Sequence, residues 1–95
     1  MTGTKIETGT TLRRTERAVR GDPSEQAVLL DADAGIALRL NSTGAWIWGQ
    51  LEQPCRVEEL ASGLAQHFEI DSGRALDDVV AFAREMARRE LLAAS

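Results

Sequence analysis

Large apolar residues recur at every second position along residues 36–40, where Ile36, Leu38 and Leu40 are separated by the small Ala37 and the charged Arg39. That is the period of a strand with one buried face. A few residues later the period changes. Gly44, Ile47, Trp48 and Leu51 fall three and four apart, which gathers them on one side of a helix expected over residues 43–53 and stopped by Pro54. Asn41, Ser42 and Thr43 at the junction can each accept from the first free N–H groups, so any of the three serves as the cap. Upstream, residues 27–31 form a second apolar run, and Gly35 in the intervening loop supplies the positive φ that a hairpin connection needs. Residues 11–20 hold Leu12, Ala18 and Val19 among four arginines, which reads as a charged strand suited to a sheet edge, with a solvated basic loop as the alternative. Gly21, Asp22, Pro23 and Ser24 after it mark a turn.

Two more helices follow. Val57, Leu60, Ala61, Leu64 and Phe68 share one face of a helix over residues 57–68, with Glu58 and Glu59 placed to complement its dipole. Its cap position falls on Arg56, which cannot accept a hydrogen bond. The third helix starts after Asp71 or Ser72 and runs to about Glu90. On a 100° wheel its apolar residues, from Phe82 through Ala75, Met86, Val79, Ala83, Leu76 and Ala87 to Val80, span an arc of about 160°. A helix with so wide an arc either packs on both other helices and still faces the sheet across a groove, or is a simple core helix of a small domain. The expected fold is α+β and winged helix-turn-helix-like: a three-stranded antiparallel sheet followed by three helices. If the strands meander in order, one sheet edge is defended by charge and the other, residues 36–40, is nearly open. Residues 1–10, rich in Thr and Gly with Ile6 as their one apolar side chain after Met1, read as a flexible leader. The domain proper covers residues 11–92, and residues 93–95 form a tail.

Composition narrows the function. With 95 residues, 43% of them hydrophobic and only 4% aromatic, the chain makes one small domain whose core is mostly aliphatic. Neither a membrane helix nor a secretory signal is evident, and Cys55 is the single cysteine; a cytoplasmic location is expected. Net charge is −4. Residues 1–40 hold six basic and six acidic side chains, whereas residues 41–95 hold five and nine. Nucleic-acid binding needs clustered Lys and Arg, so this distribution disfavours it. A winged-helix DNA-binding protein remains the alternative, although the second helix has Glu58, Glu59, Gln66 and His67 as polar members and no Arg or Lys. Arg84, Arg88 and Arg89 cluster on the third helix with Glu85 and Glu90 interleaved. His67 and Cys55 lack the companions of a zinc site or a nucleophilic pair. No phosphate loop or metalloprotease helix occurs, so an enzyme, a metal and a cofactor are not expected.

The run Leu40-Asn-Ser-Thr-Gly-Ala-Trp-Ile-Trp48, then Pro54-Cys-Arg-Val-Glu-Glu-Leu-Ala61, Asp78-Val-Val-Ala-Phe82 and the closing Glu90-Leu-Leu92 resembles the PqqD-like family, also called RiPP recognition elements. The resemblance covers residues 27–92. It implies a noncatalytic domain that binds the leader peptide of a ribosomally made precursor, which adds as a strand to the third strand and lies against the third helix. A free-standing chain of this size resembles the recognition protein of lasso-peptide pathways, which presents the precursor to a leader peptidase and further to a cyclase or other modifying enzyme. The sequence departs from the family in three places: Arg56 replaces a capping Thr or Ser, Glu90 stands where a glycine is usual, and the third strand has no aromatic.

The open edge at Ile36, Ala37, Leu38 and Arg39 would supply backbone groups to an incoming strand. Ile36, Leu38, Val79, Phe82 and Met86 are the expected apolar wall, with Arg39, Asp78 and Glu85 at its rim; each apolar member has ordinary core packing as its competing role. Trp48 is assigned to the core and Trp46 to a partly exposed position. An edge of this kind can also pair with its own copy to make a homodimer. An adaptor that binds only its partner enzyme is a third reading.

Overall fold

The computed structural model describes residues 5–16, 18–20, 28–31 and 35–95. Three strands, β2 (Ala18–Arg20), β3 (Val28–Asp31) and β4 (Ile36–Arg39), form an antiparallel sheet in the order β2-β3-β4. Leu29 pairs with Leu38 across β3 and β4. Leu29 is fully buried and Leu38 half-buried, while Ala37 and Arg39 are exposed. The period of two therefore holds along β4, and its inner face continues into buried Leu40. Gly35 takes the expected positive φ of 66°. Residues 21–24, where a turn is expected, lie outside the described residues, as do the side chain of Ile36 and the loop at 32–34.

The strand expected over residues 11–20 is two strands in two sheets. Its first part, β1 (Thr11–Arg14), is the centre of a second sheet, flanked by β5 (Cys55–Arg56) and β6 (Leu92–Ala94) in the order β5-β1-β6. Thr15 makes the corner: its N–H donates to the Leu91 carbonyl at 3.1 Å and its hydroxyl to the Glu90 carbonyl at 2.7 Å. Those bonds tie the chain to the C-terminal segment and take it out of line with β2. Leu12 is thereby fully buried, and the Arg14 guanidinium lies 4.7 Å from the centre of the Trp48 ring while donating to the Trp48 carbonyl. Ala93 and Ala94, expected as part of a tail, pair with Arg13 and Leu12.

The helices are α1 (Ser42–Gln50), α2 (Val57–Phe68) and α3 (Ser72–Arg88). Asn41 is the cap of α1, its side chain accepting from the Gly44 N–H at 2.8 Å, and the helix ends three residues short of the expected 53. Asp71 caps α3 through the Gly73 and Arg74 N–H groups. Arg56 makes no side-chain cap, as its chemistry requires. Instead the carbonyls of Thr10 and Thr8 accept from the Val57 and Glu58 N–H groups at 2.9 and 3.0 Å. Residues 5–10 are thus placed against α2, and Ile6 is 5% exposed within the core. A leader expected to be free from residue 1 to residue 10 is anchored from Ile6 onward, because its backbone satisfies donors that no side chain can reach.

One core joins these elements. Ala75, Val79, Ala83 and Met86 form the buried stripe of α3, which packs on α2, α1 and β6. Trp48 is 2% exposed. Trp46 is half-buried, stacked on the exposed His67 ring at 5.5 Å and lying so close over Gly63 that a Cβ there would stand 2.8 Å from its Cη2.

Candidate functional site

β4 is an edge. Among the described residues it pairs with β3 alone, and no backbone bond from another element reaches residues 36–39. A strand edge with unpaired N–H and C=O groups is covered or used in a soluble protein.

The chain leaves β4 through Leu40 and enters the first turn of α1, where Asn41, Thr43 and Gly44 meet Asp78, Ala81, Phe82 and Glu85 of α3 around a groove of about 280 Å³. That volume is just under the range of roughly 300–1,000 Å³ typical of small-molecule sites, so it suits one or two side chains better than a cofactor. Asp78, Phe82 and Glu85 are spaced four and three apart and therefore share one flank of the helix. Gly44 lets α1 approach that flank: a Cβ there would stand 3.2 Å from Phe82 Cε1 and 3.1 Å from Asn41 Oδ1. Phe82 is half-buried and presents its remaining surface to the groove.

The charges at the rim have different surroundings. Glu85 is bonded by Arg89 Nε at 2.7 Å and by Arg88. Hydrogen bonding to Arg89, followed by the positive charges of Arg88 and Arg89, holds the Glu85 carboxyl below the usual carboxylate range against an opposing desolvation. A carboxyl lowered in this way is ionised above that range and loses its pairing only as pH falls through the lowered value, so the cluster is intact at neutral pH. Asp78 is half-buried beside Phe82.

Of the expected site residues, the structure brings Asp78, Phe82 and Glu85 together. Val79 and Met86, expected in the wall, are 0% and 4% exposed and belong to the core stripe. Ala37 and Arg39 project from the opposite side of β4 to Leu38, and no residue of β4 lines the groove itself. Asn41, Thr43, Gly44 and Ala81 were not expected. Their signal was available: the helix cap follows the strand within two residues, which forces the first turn of α1 to the end of β4.

A larger groove, of about 510 Å³, lies between α2 and the start of α3, lined by Ala61, Ala65, Gly73 and Leu76 and bounded by Thr8. Its lining includes no residue of β4 or α1. Burial pushes the Cys55 thiol up, and the Glu59 carboxylate beside it raises it further, so the thiol stays protonated at neutral pH. The His67 ring contacts Trp46 and Phe68. Among the described residues no group of three or more His, Cys, Asp or Glu is placed to hold a metal ion, and no helix is long and apolar enough to cross a membrane. The α2 helix, which a winged-helix protein would present to DNA, carries no Arg or Lys, and the DNA-binding alternative gains no support.

Residues 26–92 match the family described as coenzyme PQQ synthesis protein D (PqqD). The chain is also similar to the solved structure described as TbiB1 in complex with the TbiA(beta) leader peptide, with 28% identity and a TM-score of 0.74 over 84% of this chain and 93% of that one. No curated protein is significantly similar to it.

Proposed function

The chain belongs to the PqqD family, and from that premise we propose that it is a noncatalytic recognition element that binds the leader of a ribosomally synthesised precursor peptide by strand addition. The observation that carries this is the β4 edge, unpaired among the described residues and leading within two residues into a groove with Phe82 on its wall. Backbone bonds along Ile36–Arg39 give affinity with little sequence preference, and the groove reads one or two side chains. The described resemblance to a leader-peptide complex favours this occupant over nucleic acid. The bound precursor is then delivered to a separate leader peptidase and onward to a cyclase or other modifying enzyme of a lasso-peptide pathway. The same edge accepts a second copy of the chain when no leader is present, so leader and homodimer compete for one set of backbone groups.

The test is a titration of a synthetic leader, taken from the precursor reading frame beside this gene, followed by amide shifts in NMR spectra. The expected changes are confined to residues 35–44 and to the α3 flank of Asp78, Phe82 and Glu85. Shifts centred on α2, or saturable binding of duplex DNA that weakens with salt, would overturn the proposal.

A further inference from the structure

The two carboxylates of the groove are not equivalent. Glu85 is taken up by Arg88 and Arg89. Asp78, almost two turns earlier, lines the same groove, is half-buried, and has neither an ion pair nor a hydrogen bond from its side chain among the described residues. Arg74 stands four residues before it, a spacing that permits pairing, and does not pair with it. Arg84 lines a different groove with Ile6 and Val80. Asp78 is therefore the uncompensated charge beside Phe82. A carboxylate on the groove wall without a partner of its own offers an incoming cation a charge to pair with.

Resting on the leader-binding reading, we propose that Asp78 makes the groove select leaders that carry a Lys or Arg two positions from the apolar residue seated on Phe82. The spacing follows from the two periods. Asp78 and Phe82 are separated by about 6 Å along the helix. Alternate residues of a strand passing beside it share a face and are about 6.6 Å apart. The basic residue thus stands two positions from the apolar one. The substrate class is an extended peptide with an apolar-X-basic or basic-X-apolar pattern, whose middle side chain faces away from α3.

The experiment selects a displayed library of random twelve-residue peptides on the full chain, on D78N and on D78K. On the wild-type protein, Lys or Arg should be enriched two positions from an aromatic or aliphatic residue. D78N should keep the apolar preference and lose the basic one, and D78K should exchange it for Asp or Glu. A selected lysine peptide should bind D78N about three- to fivefold more weakly, the size of a partly exposed ion pair, and the gap should narrow at high salt. Equal basic enrichment on D78N, or apolar enrichment without a basic residue, overturns the proposal. If those peptides still shift the β4 amides, leader binding by strand addition stands and only the charge selection falls. If nothing is enriched, or the selected peptides leave the β4 amides unmoved, both fall.

Discussion

Glu69 and Glu90 occupy the left-handed region at φ values of 54° and 62°. Each follows a helix, where a residue turned this way lets the last carbonyls find donors; the Ile70 N–H reaches the Ala65 carbonyl at 3.1 Å and the Leu91 N–H reaches that of Met86 at 2.9 Å. A side chain in this conformation costs roughly 1–2 kcal/mol, which glycine avoids while adding its own unfolded-state entropy. At position 69 the acidic side chain also sits at the negative end of the α2 dipole. E69G should therefore stabilise the protein by about 0.5–1 kcal/mol, raising Tm by roughly 2–8 °C. E69Q, which removes only the charge, should give a few tenths of a kcal/mol. Equal effects of the two variants in thermal unfolding would show that the dipole and not the backbone dominates. Position 90 has the same requirement for a positive φ. Such a requirement is invisible where the residue present is a glutamate, because only a glycine or asparagine advertises it.

At the scale of elements, helices were legible and the second sheet was not. Apolar spacing of three and four places α1, α2 and α3 within a few residues, since each buries a continuous stripe that leaves a periodic trace. Strands of two to four residues leave no such trace, so β1, β5 and β6 read as loop, tail or part of another strand. The N-terminal anchor left still less: one isoleucine in a Thr- and Gly-rich stretch, acting through main-chain carbonyls that every residue possesses. Its energetic share is nonetheless large. Ile6→Ala should cost about 2–4 kcal/mol through the apolar surface and cavity it leaves. Deleting residues 1–10 removes that burial together with two bonds to the first N–H groups of α2, worth about 1 kcal/mol each. In a domain of this size the sum approaches the whole stability, so the truncated chain should unfold at a much lower urea concentration and its α2 amides should exchange first. An unchanged urea midpoint would show that Thr8 and Thr10 are replaceable by water.

Across the whole molecule, the placement of the site follows from which edge is left bare. The β2 edge was expected to be guarded by arginines, and the meander order puts β2 and β4 at opposite sides. The α3 flank was harder to read, because an arc of about 160° has two borders and periodicity does not say which one faces the sheet. Val79 and Met86 lie inside that arc and so went to the core, whereas Phe82 at one border stayed half open. An antiparallel ladder supplies the sharpest remaining test. Along an edge strand alternate residues direct their N–H groups to the inner neighbour and the others outward, so within Ile36–Arg39 two amides should be protected by β3 and the two between them should exchange freely. Saturating leader should protect that second pair and leave the first unchanged. The Ala37→Pro variant then has a defined outcome. If Ala37 belongs to the outward set, the substitution abolishes leader binding with native circular dichroism. If it belongs to the inward set, it breaks the β3–β4 ladder and the dichroism changes with it. Four amides protected before any leader is added, in a protein shown to be monomeric, would mean that the edge is already occupied, and the leader would then have to bind by side chains alone.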